Sequence, residues 1–143
     1  MLDTRVFPPE YRGKYPHMFP GDVEIWERFL DKYGNLYSGF QYDMMCGEEC
    51  EQFPRWEMPY RKDAKVLSKL RIDAVGFRGN DIDIIEVKPR AGMAAIGQIL
   101  TYKDHYQKDY NPPADLRGVI VTGQEDPNIP PIAERYHIAY IVV

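Results

Sequence analysis

The chain has 143 residues, a formal net charge of −4, 44% hydrophobic residues and 28% charged residues, which suits one globular domain and is too short for two ordinary ones. No apolar run approaches the roughly 20 residues of a membrane-spanning helix, and residues 1–9 lack the pattern of a secretory leader, so a cytosolic protein is expected. The acidic balance argues against nonspecific coating of nucleic acid, which needs many cations near phosphates, but charge is segregated. Asp43, Glu48, Glu49, Glu51 and Glu57 outnumber Arg55, whereas Arg61, Lys62, Lys65, Lys69 and Arg71 outnumber Asp63.

Residues 1–21 mix Pro8, Pro9, Pro16 and Pro20 with Phe7, Tyr11, Tyr15 and Phe19, and read as an extended arm ahead of a single domain over 22–143. Asp22 offers an N-cap, and Val23, Trp26, Phe29, Leu30 and Tyr33 recur at helical spacing up to Gly34, which predicts a helix over about 23–33. Phe40, Tyr42 and Met44 alternate as in a strand; Trp56, Met58 and Tyr60 do so between Pro54 and Pro59, as an edge strand or irregular extension. Cys46 and Cys50 are too few for a four-ligand metal site without nearby histidines and read as reduced thiols.

The strongest local pattern is a β-hairpin, Leu70 to Phe77 and Asp81 to Lys88 joined through Gly79-Asn80. Pro89 and Gly92 end it. A helix follows from Met93 to about Tyr106, with Ile96, Leu100 and Lys103 or Ile99 inward. Asn111-Pro112-Pro113 breaks that helix before a strand at 118–122, a short helix at 130–136 and a last strand at 137–143. This order predicts an α/β sandwich around a mixed sheet, the helix at 93–106 crossing over between parallel strands.

A two-residue turn at Gly79-Asn80 pairs Arg78 with Asp81. It then stacks Phe77 on Ile82, Val75 on Ile84, Asp73 on Glu86 and Arg71 on Lys88 on one face, with Ile72 on Val87 and Ala74 on Ile85 on the other. Opposed carboxylates about 5 Å apart repel unless a cation joins them. With no His-rich or Cys-rich cluster, Mg²⁺ or Mn²⁺ is the expected ion. Lys88 shares this face and suits the orientation of a water nucleophile or the offset of charge on a pentacovalent phosphate. The competing structural reading makes Arg71, Asp73, Glu86 and Lys88 a cross-strand salt-bridge patch, which burial beside apolar pairs disfavours. Gln98 and Tyr102, at i and i+4, are placed near the site, and Glu27 on the first helix is chosen as an extra carboxylate over a solvated alternative. Lys65, Lys69 and Arg71, with Arg90 and Lys103, are the candidates for contacts to the phosphates of a nucleic-acid backbone. Asp81 and Asp83 read as solvent-facing, and His17, His105 and His137 as surface or boundary residues.

Ile72-Asp73, followed twelve residues later by Glu86-Val87-Lys88, resembles the PD-(D/E)XK nuclease signature, and Gln98-Ile99-Leu100-Thr101-Tyr102 resembles the QxxxY element of RecB-type and lambda-exonuclease-like relatives. The element order resembles that superfamily's restriction-endonuclease-like αβββαβ core. The resemblance implies a Mg²⁺-dependent deoxyribonuclease in which Asp73, Glu86 and the Val87 carbonyl bind metal. Lys88 would be catalytic, Gln98 and Tyr102 would support substrate binding, and Glu27 would correspond to the first-helix acid. Ile72 stands where the name-giving proline would be, and the cysteines that hold an iron-sulfur cluster in some relatives are absent. Exonuclease and endonuclease action both fit, as does a role in phage or mobile-element DNA processing, as a homodimer or in a larger complex. The rival class is a catalytically silent nuclease-fold module that binds DNA or protein.

Overall fold

Helix α1 begins earlier than the apolar spacing suggests. In the computed structural model, which describes residues 5–48 and 70–143, α1 spans Pro20–Tyr33 with Phe19 as N-cap. Proline tolerates the first turn because the N–H it lacks would have no intrahelical partner there. Asp22 is therefore not the N-cap; it lies inside the first turn, and its carboxylate accepts the Phe19 N–H at 3.0 Å. Ile25, Trp26, Phe29 and Leu30 form the buried stripe.

Among the described residues five strands make one sheet in chain order: β1 (Gly39–Cys46), β2 (Leu70–Arg78), β3 (Asp81–Lys88), β4 (Asp115–Thr122) and β5 (Ile138–Val142). The first three are antiparallel, and β4 and β5 continue the sheet in parallel. Helix α2 (Met93–Tyr110) crosses over from β3 to β4, and α3 (Pro130–Arg135) from β4 to β5. The result is the mixed α/β sheet with an αβββαβ core that the order of elements predicts. One face packs Ala74, Ile85, Val87, Val119 and Val121 against α1; the other packs Val75, Ile84 and Ile120 against α2. No helix among the described residues is long and apolar enough to cross a membrane.

The hairpin takes the expected register, Arg78 pairing with Asp81, Phe77 with Ile82, Val75 with Ile84 and Ala74 with Ile85. Gly79 has φ of 59° while Asn80 is absent from the positive-φ residues, the distribution that a glycine in the first turn position favours. Strict alternation fails nearer the site. Phe40 and Tyr42 pack on the α1 side, yet Met44 and Cys46, in step with them, pack on the α2 side. Asp43, at φ 55°, is where β1 turns over. On β2, Ile72 joins the α2 side and Ala74 the α1 side, so Ile72 and Val87 do not share a face.

The inward residues of α2 are Ala95, Ile96, Ile99, Tyr102 and Tyr106; Leu100 is 37% exposed, contrary to the expected pattern. Asn111 caps the helix in the left-handed conformation at φ 42°. Close approach of α2 to the sheet depends on Gly118, where a Cβ would stand 2.3 Å from Ile99 Cγ2. Ile99 is fully buried and branched at Cβ. Gly118→Ala is therefore expected to destabilise the protein by about 1–3 kcal/mol through overpacking, measured as a fall in the urea midpoint without a change in slope.

From Phe7 onward the arm is tied to the domain. Phe7 and Phe40 exchange backbone hydrogen bonds of 2.7 and 2.9 Å, and the rings of Phe7 and Tyr15 lie 5.6 and 5.0 Å from that of Tyr42. Tyr15 is buried. The predicted strand at Trp56, Met58 and Tyr60, together with Cys50, Lys65 and Lys69, lies outside the described residues.

Candidate active site

The chemistry gathers at the end of the hairpin remote from Gly79. The β2–β3 ladder extends to the Ala74–Ile85 pair; one step beyond, the Asp73 carboxylate takes over as acceptor and binds the Val87 N–H at 2.9 Å. Asp73 and Glu86 are 4% and 2% exposed, and Glu86 feels the charge of Asp73. Burial, followed for Glu86 by the charge of Asp73, pushes Asp73 up to about 6 and Glu86 to about 8, since low dielectric and like charge both penalise the second anion.

Among the described residues Lys88 brings a cation to the pair. Lys88 Nζ lies 3.3 Å from Glu86 Oε1; burial works against its charge, but Glu86, with Asp73 and Asp22, outweighs burial and raises its pKa. Among the described residues the buried Glu86 Oε2 has no hydrogen-bond partner, a costly state for a carboxylate oxygen. Asp22, on the first turn of α1, acts electrostatically on both Asp73 and Lys88, and His17 favours ionisation of Asp73. Tyr102 is buried beneath the pair; burial and then the charges of Glu86 and Asp73 raise its phenol, and the Gln98 amide stands 3.5 Å from its hydroxyl. The structure thus brings Asp73, Glu86, Lys88 and Tyr102 together, with Gln98 beside Tyr102.

Other expected members are elsewhere. Arg71 does not stack on Lys88: it forks onto Asp43 of β1 through Nε at 2.7 Å and through a second guanidinium nitrogen. The charge-balanced quartet therefore does not form, and the carboxylate pair keeps only Lys88 of it. Glu27 accepts the Tyr15 hydroxyl at 3.1 Å, pointing to the arm; the α1 acid that reaches the pair is Asp22, five residues earlier and turned by ~140° around the helix. Lys103 lines a 390 Å³ cavity with Leu100, Asp104, Gln107, Asp115 and Leu116. Asp115 pairs beside Asp81 at the hairpin-turn end of the sheet, opposite the site. Arg90 is exposed in the loop that follows Lys88. Asp83 is not solvent-facing; it is fully buried and accepts from Tyr37 at 2.6 Å and Arg117 at 2.8 Å.

In the sequence an acid at the start of a helix is explained by capping alone, and nothing local to Asp22 tells that its turn abuts the hairpin. Its neighbour Gly21 makes that visible: a Cβ there would meet Pro89 Cγ at 3.3 Å, so the start of α1 packs against the residue after Lys88.

The fold is similar to that in the crystal structure of a repair endonuclease from Pyrococcus abyssi, with a TM-score of 0.52 and 14% sequence identity over 92% of this chain and 49% of that chain. The chain therefore spans about half the length of that protein. No family model matches the chain, and no curated protein matches it significantly. Among the described residues no three His, Cys, Asp or Glu side chains cluster to hold a metal ion.

Proposed function

We propose that the chain is a divalent-metal-dependent deoxyribonuclease of the PD-(D/E)XK type, hydrolysing phosphodiester bonds at Asp73, Glu86 and Lys88. The observation that carries this reading is Glu86 Oε2, buried beside Asp73 without a hydrogen-bond donor among the described residues. An orphaned oxygen next to a second buried carboxylate is the donor chemistry that suits a hard cation such as Mg²⁺ or Mn²⁺. Asp73 and Glu86 would hold the ion, with the Val87 carbonyl as a further oxygen donor. When bound, such an ion supplies Lewis-acid neutralisation of charge at a phosphodiester.

The protein's own groups divide the remaining work. Lys88 is held by Glu86 in its charged form, placing an ammonium where it can offset negative charge that grows on an attacked phosphate. Asp73 is fixed by the Val87 N–H, so its geometry is set before substrate arrives. Tyr102 closes the apolar side and excludes water from beneath the pair. Incubation with linear, circular and nicked DNA in Mg²⁺ or Mn²⁺ tests the proposal: cleavage is expected from the wild type and a loss of about 10²-fold or more from Asp73→Asn, Glu86→Gln and Lys88→Ala. Absence of metal-dependent cleavage, or variants as active as the wild type, would overturn it.

A further inference from the structure

The turn that follows Lys88 is clamped from several sides. Lys88 is the last residue of β3, and Pro89 confines it to extended backbone, because a proline ring clashes with a helical conformation of the residue before it. The Pro89 carbonyl accepts the Gly123 N–H at 3.0 Å. No side chain fits between them: a Cβ on Gly123 would stand 3.2 Å from that oxygen and 2.4 Å from Ile25 Cδ1 of α1. Two residues beyond Pro89, Ala91 is fully buried, so its N–H and C=O need partners away from water. Side-chain hydroxyls supply both. The N–H donates to Thr122 Oγ1 at 2.9 Å, and the C=O accepts from the Tyr140 hydroxyl at 3.3 Å, which itself accepts the Asp126 N–H at 3.1 Å.

Thr122 is the centre of this clamp. It ends β4, is fully buried and pairs with Lys88 in the parallel ladder. Strand alternation puts it in step with Ile120 on the α2 side of the sheet, the side on which Glu86 and Lys88 follow Ile84. Its single hydroxyl proton has the carbonyls of Gln124 at 3.1 Å and Pro89 at 3.4 Å as acceptors. The strand otherwise closes on Val119, Ile120 and Val121, and a valine at 122 would fill the same volume; the hydroxyl serves the turn. We propose that Thr122 is a positioning residue for Lys88: by fixing the turn from Pro89 to Ala91 it fixes the end of β3, so that the ammonium stands against Glu86 before a phosphodiester arrives. This inference rests on the nuclease reading and deepens it. The Lys88 side chain is 42% exposed, and a flexible four-carbon stem carries no direction of its own, so the backbone beneath it sets where the charge is delivered. A displacement of ~1 Å at such a group costs on the order of 10²-fold in rate.

The test separates placement from folding, with every rate taken well below the melting temperature and per mole of folded protein. Thr122→Val keeps the volume and removes the hydroxyl. Its kcat for metal-dependent DNA cleavage is expected to fall by about 10- to 100-fold, with KM and the Mg²⁺ concentration for half-maximal rate unchanged and with faster hydrogen exchange at the Ala91 amide. Thr122→Ser restores kcat. Gly118→Ala is the stability control: it lowers the melting temperature as well but keeps the wild-type kcat. Tyr140→Phe loosens the same turn from its other side, so its loss of kcat combines with that of Thr122→Val less than additively in free energy. Where Thr122→Val does not fold, Thr122→Ala is read in the same way. A wild type that cleaves DNA beside a Thr122→Val protein of equal kcat overturns the positioning proposal and leaves the nuclease reading intact. So does a Thr122→Ser protein as slow as the valine variant, or a loss of kcat that Gly118→Ala reproduces, which would make the hydroxyl a matter of stability alone. A wild type without metal-dependent cleavage removes both readings together.

Discussion

Glu86→Gln is expected to raise the melting temperature of the metal-free protein by roughly 10 °C at pH 8, although it removes a proposed metal ligand. Burial and the neighbouring Asp73 lift Glu86 from 4.5 to about 8 and Asp73 from 3.8 to about 6. A carboxyl whose pKa is raised by folding holds its proton in the native state where the unfolded chain has already released it. Stability is then fully present below the unfolded value and declines as pH rises through the folded one. For Glu86 the decline runs between about pH 4 and 8, and with about 1.4 kcal/mol per unit it reaches on the order of 4 kcal/mol at the upper end. Glutamine keeps the shape without the charge, so the difference between variant and wild type in EDTA is near zero at pH 4 and grows with pH. A divalent ion reverses the order by stabilising the doubly ionised pair: millimolar Mg²⁺ or Mn²⁺ raises the wild-type melting temperature increasingly from pH 6 to 8 and leaves Glu86→Gln unmoved. Calorimetry at three pH values, with EDTA and with metal, reads both arms. A glutamine variant less stable than the wild type at pH 8 in EDTA would mean that Glu86 is ionised and already satisfied in the metal-free fold.

What could be read in advance from this sequence is what turn chemistry and local alternation control. Gly79-Asn80 dictates the hairpin register as far as the Ala74–Ile85 pair, and Asp73, one residue beyond it, reaches the β3 end through the Val87 N–H. The distribution of apolar runs, with Pro and Gly between them, determines the order of helices and strands. The errors share a different cause, which is contact between residues far apart in the chain. Arg71 has two plausible partners by strand logic, Lys88's neighbourhood or β1, and Asp43, 28 residues away, takes it. That choice depends on β1 turning over at Asp43, where a positive φ breaks the period of two that every strand argument assumes. Glu27 and Asp22 are both acids on α1, and only the packing of the helix start against Pro89 selects between them.

Asp83 is the largest of these errors, and it leads to the second strong expectation: Asp83→Ala is expected to destabilise the protein by about 3 kcal/mol, a fall of roughly 10 °C in melting temperature. In Asp81-Ile82-Asp83-Ile84 the alternation reads as a solvated face, but Asp83 is fully buried. Tyr37 donates to it from the loop before β1 at 2.6 Å, Arg117 of β4 at 3.1 and 2.8 Å, and Arg78 of β2 at 3.3 and 3.4 Å. Removing the carboxylate leaves a buried phenol without its acceptor and two guanidinium groups without their shared counter-charge. The arginines retain side-chain exposures of 30% and 40%, so water recovers part of the loss, which keeps the expected cost at the lower end for a broken buried pair. The pH signature is opposite to that of Glu86. Burial opposes the charge of Asp83, but hydrogen bonds from Arg117, Tyr37 and Arg78 outweigh it and lower its pKa. Its contribution is thus present above the usual carboxylate value near 4 and is lost as pH falls through the folded value. Acid titration of unfolding is expected to show a steep loss below about pH 4 in the wild type that Asp83→Asn flattens, whereas Glu86→Gln alters only the limb above it. The metal-free protein should accordingly be most stable in mildly acidic solution, between the two limbs. A variant at Asp83 as stable as the wild type at pH 7 would mean that the two arginines and Tyr37 are satisfied without it.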